Sequence, residues 1–161
     1  MDARGVLFVC MGNICRSPAA EGVFRHLLNN LGLKFQVEVD SAGTISCHAG
    51  EAPDSRMRKA ASRRGYQLEG RSRVVEESDL EAFDLVVAMD RENYRDLVNR
   101  SWRNGEIHRA RICLLSDFLD AEWPQDVPDP YYGGPRGFER VLDMIEAACP
   151  AILHALDSGE A

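Results

Sequence analysis

Residues 5–31 constrain the fold more than any other part of the chain. They begin with an unbroken apolar run, GVLFVC at Gly5–Cys10, which is typical of a strand buried on both faces of a sheet. After a short loop, apolar residues from Pro18 to Leu31 recur at the three- and four-residue spacing of an amphipathic helix. A buried strand followed at once by a helix is typical of a βαβ unit, so this stretch predicts a parallel sheet.

The same alternation continues along the chain, with three further strand patterns and three further helix patterns. The strands are predicted at Phe35–Gly43, Phe83–Asp90 and Arg109–Asp117, and the helices at Asp54–Arg64, Arg91–Asn99 and Phe138–Leu156. Short connections between them imply right-handed crossovers, with helices on both faces of the sheet. A chain of 161 residues that is 45% hydrophobic has apolar material for one core. We therefore expect a single three-layer α/β domain over residues 1–161, built on a four-stranded, twisted, parallel sheet.

One long connection, Asp120–Gly137, lacks any regular pattern. Its four prolines and three glycines exclude a helix or a central strand at this stage. Loops of this length inside compact domains are often functional, so we expect this one to contribute to a site.

Charge and cysteine content exclude several classes of protein. The net charge is −7 and there is no long Lys/Arg block, so a nucleic-acid partner is not expected. The N-terminal residues lack the pattern of a signal peptide, and no apolar run is long enough for a membrane span. Five irregularly spaced cysteines argue against a secreted disulfide framework. We expect a cytoplasmic monomer that has no membrane partner.

The loop between the first strand and the first helix has the features of an anion site. Gly12 and Asn13 are the residue types that best tolerate a left-handed backbone. Ser17 suits the helix cap and Pro18 the first turn. Such a loop directs several backbone N–H groups and the positive end of a helix dipole at one small volume.

Two side chains indicate what this anion site binds and which reaction it could catalyse. Arg16 supplies a planar fork that can hold two oxygens of inorganic phosphate or a similar oxyanion in a fixed orientation. Cys10 lies at the end of the first strand, where the N–H dipoles and Arg16 favour a thiolate. The spacing Cys-x5-Arg therefore predicts a cysteine nucleophile that faces phosphorus.

The full string FVCMGNICRSPAAEG, Phe8–Gly22, resembles the active-site loop of the low-molecular-weight protein tyrosine phosphatases. Three further stretches support the resemblance, namely VDSAGT at Val39–Thr44, FDLVVAMDRENYRDL at Phe83–Leu97 and VPDPYYGG at Val127–Gly134. The resemblance covers the whole chain. It implies a phosphatase that hydrolyses phosphotyrosine in proteins through a phosphocysteine intermediate, without a cofactor.

The resemblance also assigns roles to individual residues. It implies that Asp129 is the general acid and then the general base, and Asp126 is the weaker alternative. Tyr131 and Tyr132 would form an aromatic wall that favours a phenyl phosphate. The implied phosphate-binding and supporting residues are Met11, Gly12, Asn13, Ile14, Cys15, Ser17 and Ser41.

Four residues bear on regulation and specificity. The resemblance suggests that Cys15 traps an oxidised Cys10 as a disulfide. The chain departs from the family's common pattern at Cys47-His48 on the cleft rim, where a large aromatic residue is frequent, and at Gly70, where a histidine is frequent.

Two other functions remain open on sequence alone. Arsenate reductases with a similar loop need a closely spaced resolving cysteine pair, whereas Cys113 and Cys149 are far apart in this sequence. A phosphotyrosine-binding module without turnover would have no need to retain Cys10, Arg16 and Asp129 together. The cysteines and histidines show no metal-ligand spacing, so no metal is expected.

Overall fold

The computed structural model describes residues 4–101 and 108–158. Its centre is a parallel sheet of four strands in the order β2-β1-β3-β4. The strands are β1 (Arg4–Cys10), β2 (Val37–Gly43), β3 (Leu85–Ala88) and β4 (Arg111–Leu114). The predicted four-stranded parallel sheet is therefore confirmed. The two inner strands, β1 and β3, are the apolar runs expected to be buried on both faces, and both are buried.

Within residues 4–101 and 108–158, five α-helices cover the two faces of the sheet. They are α1 (Arg16–Asn30), α2 (Ser55–Arg63), α3 (Asp79–Ala82), α4 (Arg91–Ser101) and α5 (Gly134–Ser158). No helix within the described ranges is long and apolar enough to cross a bilayer.

Alternate residues of β1 point into two separate cores. Val6 and Phe8 pack into a cluster formed with α1, α2 and α5. Leu7 and Val9 pack into a second cluster with residues of α3 and α4. Because successive side chains of a strand point to opposite faces, one apolar strand joins both layers of helices.

The connection from Asp120 to Gly137 is more regular than the sequence predicts. Residues 130–132 form a single 3-10 turn, and α5 begins at Gly134 rather than at Phe138. The expectation of no helix in this segment is therefore wrong at its C-terminal end. Pro135 lies in the first turn of α5, where a missing N–H costs no hydrogen bond. The short helix α3 was not predicted because four residues carry no readable periodicity.

The carboxyl ends of the two central strands and of β2 meet at one edge of the sheet. Cys10, the last residue of β1, pairs in register with Gly43 at the end of β2. A Cβ atom on Gly43 would lie 2.7 Å from the carbonyl oxygen of Met11. Only glycine therefore lets β2 lie this close to the loop 11–15 that follows β1. Open α/β sheets bind their ligands at this edge.

Candidate active site

The loop 11–15 curls around the thiol of Cys10. Asn13 takes a φ of 56°, in the left-handed region where Asn is among the tolerated residues. This conformation turns the Asn13 N–H toward Cys10, at 3.3 Å from Sγ. The Cys10 side chain is almost completely buried, so the few donors around it fix the position of the sulfur.

Ser17 contacts the same thiol and does not cap the helix. Helix α1 begins at Arg16, its N-cap residue is Cys15, and no side chain caps it. The prediction of Ser17 as the cap is therefore wrong by two positions. Its hydroxyl oxygen instead lies 3.0 Å from Cys10 Sγ, inside the first turn of the helix.

Asn13 links the loop to β2 through its side-chain amide. Its Nδ2 donates to Ser17 Oγ at 2.8 Å and to Ser41 Oγ at 3.0 Å. Its Oδ1 accepts from the backbone N–H of Arg73 at 3.0 Å. Because the Arg73 N–H can only donate, the orientation of the amide is fixed and both of its N–H groups are committed to the two serines.

These commitments determine which way the Ser17 hydroxyl points. Ser41 accepts from Asn13 and donates its own hydrogen to Glu21 Oε1 at 2.7 Å. Ser17 likewise accepts from Asn13, so its hydrogen is left for Cys10 at 3.0 Å or for a more distant carbonyl at 3.4 Å. The shorter of these two contacts places an O–H donor on the sulfur. Burial raises the pKa of Glu21, against the lowering effect of its bond from Ser41.

Arg16 is buried and held by two acceptors behind it. One guanidinium nitrogen, Nη1, donates to Asp90 Oδ2 at 2.7 Å and to the carbonyl oxygen of Val127 at 3.0 Å. These bonds use the two hydrogens of Nη1, and the three hydrogens on Nε and Nη2 can still donate to a ligand. Burial acts to lower the pKa of Arg16, but Cys10 and Asp90 outweigh it and raise the pKa above the ordinary value.

The two candidate acids occupy different surroundings. Asp129 lines the same cleft as Cys10, and its Oδ1 accepts from the backbone N–H of Tyr131 at 3.0 Å. Asp126 lies outside that cleft and accepts from the backbone N–H and the guanidinium of Arg91 at 2.9 to 3.3 Å. The bond from Arg91 lowers the pKa of Asp126 and keeps it ionised.

The predicted site residues converge on one open cleft of about 300 Å³. Asn13, Ser17 and Ser41 lie behind the loop rather than in the cleft, where they form the hydrogen-bond network described above. The side chain of Tyr132 lies outside the described part of the structure. The residues that line the cleft are Cys10, Met11, Gly12, Ile14, Cys15, Arg16, Cys47, His48, Asp129 and Tyr131.

The rim of the cleft is formed by residues from separate loops. Tyr131 is half exposed, and the guanidinium of Arg56 lies 5.1 Å from its ring centroid. His48 also lines the cleft, and a Cβ atom on Gly12 would lie 3.0 Å from its ring. The ring of His48 also contacts the carboxylate of Glu51. An imidazole therefore lies at the position on the rim where the resembled family frequently has a large aromatic residue.

The other cysteines differ sharply in exposure. Cys15 is buried beside the cleft, and its pKa is raised to about 12 by burial and then by Asp54 and Cys10. Cys113 and Cys149 lie in the core, where burial raises the pKa of each to about 12. Cys47 at the rim is exposed. Two buried core thiols do not supply the accessible pair that a reductase needs.

Sequence reasoning missed two carboxylates of this site, and each carried a readable signal. Asp90 lies two residues beyond the end of β3, whose carboxyl end adjoins that of β1 in the sheet. Glu21 comes four residues after Ser17 on α1, so both lie on one helix face. Gly70 takes a φ of 88° and lines a small cavity together with Glu21, which bonds Ser41 directly.

Comparison with known proteins places this site in context. Residues 5–160 match the family described as low molecular weight phosphotyrosine protein phosphatase. The low molecular weight protein-tyrosine-phosphatase of Streptomyces coelicolor is 43% identical over 151 residues, which cover 94% of this chain and 92% of that protein. The crystal structure of a protein tyrosine phosphatase from Entamoeba histolytica, with Hepes in its active site, has a TM-score of 0.91 at 44% identity, covering 99% and 100% of the two chains. A Drosophila arginine phosphatase, DARP, has a TM-score of 0.88 at 31% identity, covering 92% and 95%.

Proposed function

Because this chain belongs to the low molecular weight phosphotyrosine protein phosphatase family, we propose that it hydrolyses phosphotyrosine in proteins through a phosphocysteine intermediate. One observation carries the proposal. A single cleft is lined by Cys10, Arg16 and Asp129, together with the ring of Tyr131, although these residues come from opposite ends of the chain. We further propose that residues 1–161 form one phosphatase domain, which the family match over residues 5–160 supports.

The phosphoryl group is bound by the loop 11–15 and Arg16. The free hydrogens on Nε and Nη2 of Arg16 form a fork that fits two phosphoryl oxygens. Asp90 and the Val127 carbonyl hold the opposite edge of the guanidinium and fix its plane. The bound dianion then lies directly above the Cys10 sulfur.

In the first step, the Cys10 thiolate attacks phosphorus and an S–P bond forms. The bond from phosphorus to the tyrosine oxygen breaks, and Asp129 gives its proton to that oxygen. The N–H of Asn13 and the hydroxyl of Ser17 stabilise the thiolate before the attack. The products of this step are tyrosine and phosphocysteine.

In the second step, water attacks the phosphocysteine. The Asp129 carboxylate takes a proton from the water as the new P–O bond forms, and the S–P bond breaks to return the Cys10 thiolate. The Ser17 hydroxyl, which Asn13 and Ser41 direct toward the sulfur, stabilises this leaving thiolate. Inorganic phosphate then leaves the loop, and no metal takes part in either step.

The walls of the cleft favour an aryl group. Met11, Ile14 and Tyr131 supply apolar surface around the opening, and we propose that Tyr132 extends the same wall. A phenyl ring bound between these side chains holds its phosphate at the depth of Cys10. A phosphoserine is too short to contact the same walls while its phosphate lies in the loop.

The test is a substrate panel in the presence of a metal chelator. We expect the purified protein to hydrolyse phenyl phosphate and phosphotyrosine, and Cys10→Ser to lose this turnover while still binding inorganic phosphate in a calorimeter. Acid-quenched mass spectrometry should find phosphate on the peptide that carries Cys10. Turnover by Cys10→Ser would refute the nucleophile. Faster hydrolysis of phosphoarginine, the substrate suggested by the name of the Drosophila relative, would refute the aryl preference.

A further inference from the structure

A second concavity lies beside the active-site cleft, between α2 and the start of α5. It is a groove of about 220 Å³. Its apolar side chains are Ala60, Pro135 and Phe138, and its cationic side chains are Arg56, Lys59 and Arg63. The three cations are spaced by three and four residues, so they project from one face of α2. The groove therefore combines an apolar floor with a positive wall.

The positive wall is unusual in this chain. The net charge of the protein is −7, whereas the α2 sequence SRMRKAASR contains four cations and no acid. Lys59 has no hydrogen bond or ion pair with any residue that the structure describes. The carboxylate oxygen paired with Arg63, from Glu139, lies 3.8 Å away, and the same carboxylate already binds Arg64 at 2.8 Å. Two cations of the groove thus lack strong partners.

Arg56 joins the groove to the active-site cleft. Its guanidinium lies 5.1 Å from the ring centroid of Tyr131, which lines the cleft, and 5.0 Å from that of Phe138, which lines the groove. Asp54 holds the guanidinium in this position through bonds of 3.0 and 3.3 Å. The rings of Tyr131 and Phe138 are therefore at most about 10 Å apart, a distance that about three residues of an extended peptide can span at roughly 3.5 Å per residue.

We propose that this groove binds an acidic segment of the substrate protein, about three residues from the phosphotyrosine. The inference rests on the proposed function, since the phosphotyrosine must occupy the cleft for its neighbours to reach the groove. Carboxylates of the segment pair with Lys59 and Arg63, and the aliphatic parts of its side chains pack on Phe138. The enzyme thereby selects acidic phosphotyrosine sequences over neutral ones.

The test compares three phosphotyrosine peptides and phenyl phosphate. One peptide carries Asp and Glu three and four residues before the phosphotyrosine, one carries them after it, and one has Asn and Gln instead. The variants are K59E/R63E and, as a control with the same change of charge, R58E/R140E. Both control positions are exposed and lie outside the groove.

We expect wild-type protein to prefer one acidic peptide over the neutral peptide by about tenfold in kcat/KM, mainly through KM, and less at high salt. K59E/R63E should abolish this preference and leave phenyl phosphate turnover unchanged. The control should keep most of the preference. Equal rates on all three peptides, or the same loss in the control, would overturn the proposal.

Two further outcomes are distinguishable. Failure to hydrolyse phenyl phosphate would contradict the proposed function rather than the groove. A wild-type dimer in sedimentation velocity that K59E/R63E converts to a monomer, with unchanged peptide kinetics, would identify the groove as an interface between two copies of the chain and refute the substrate segment.

Discussion

Replacement of Arg16 by lysine tests whether the proposed phosphate site depends on the planar donor pair of the guanidinium or only on its positive charge. In the wild type, one edge of the guanidinium is bound by Asp90 and Val127, and the opposite edge is free to bind an anion. A lysine ammonium carries its donors on one atom. It therefore cannot reach Asp90 and also present a planar pair of donors to two phosphoryl oxygens.

The magnitude follows from the bonds that are lost. Two charge-assisted hydrogen bonds to the phosphoryl group are worth about 1.5–3 kcal/mol each. Lysine keeps the positive charge, so we take the lower end, roughly 3 kcal/mol. At about 1.4 kcal/mol per factor of ten, Arg16→Lys should lower kcat/KM by about 100-fold.

The assay is steady-state hydrolysis of phenyl phosphate at fixed pH and ionic strength, with circular dichroism to confirm that both proteins are folded. Arg91→Lys is the matched control, because Arg91 is exposed and pairs with Asp126 outside the cleft. We expect the control to remain within about threefold of wild type. If Arg16→Lys also remains within threefold, charge alone suffices and the argument from the guanidinium fork is wrong.

Three further predictions follow from the same site and its surroundings. Asp129→Asn should slow the hydrolysis of phenyl phosphate far more than that of nitrophenyl phosphate, because the nitrophenoxide leaves without a proton. If Asp126→Asn shows this dependence on the leaving group instead, the general acid is misassigned. Peroxide should produce a Cys10–Cys15 disulfide that a thiol reductant reverses, and peptide mapping that never finds this pair would contradict the protective role of Cys15. Burial raises the pKa of three thiols, those of Cys15, Cys113 and Cys149, from 9.0 to about 12, so the folded chain keeps protons that the unfolded chain loses. The denaturant midpoint should therefore fall as the pH rises from about 9 toward 12, and a midpoint that stays constant to pH 10.5 would contradict this assignment.

The parts of the fold that depend on local pattern were predictable. The apolar run of β1 and the helical spacing of α1 gave the βαβ architecture, and the loop between them lies where the sequence predicts an anion site. Convergence of Asp129 on the same cleft was expected only from the family resemblance. Nothing in the spacing between Cys10 and Asp129 indicates that they meet, because the tertiary fold alone brings them together.

The remaining features depend on contacts between distant segments. Ser17 is a residue type that often caps helices, but the observed cap is Cys15, two residues earlier, and the Ser17 hydroxyl contacts Cys10 instead. The start of α5 at Gly134 was hidden by a segment rich in proline and glycine. Proline is compatible with the first turn of a helix, so composition alone misjudged that boundary.

Asp90 divides its two carboxylate oxygens between the active site and an outer helix. Oδ2 accepts from Arg16, while Oδ1 accepts from the backbone N–H of Asn93 at 2.7 Å, in the first turn of α4. An anion on the free edge of Arg16 competes with Asp90 for the same positive charge. The strength of the hydrogen bond from the Asn93 N–H in turn depends on the negative charge that remains on Asp90. Coupling between two such sites is reciprocal, so a contact that stabilises the start of α4 also changes the affinity for the phosphoryl group. The first turn of α4 is thus coupled through Asp90 to the anion site of the cleft.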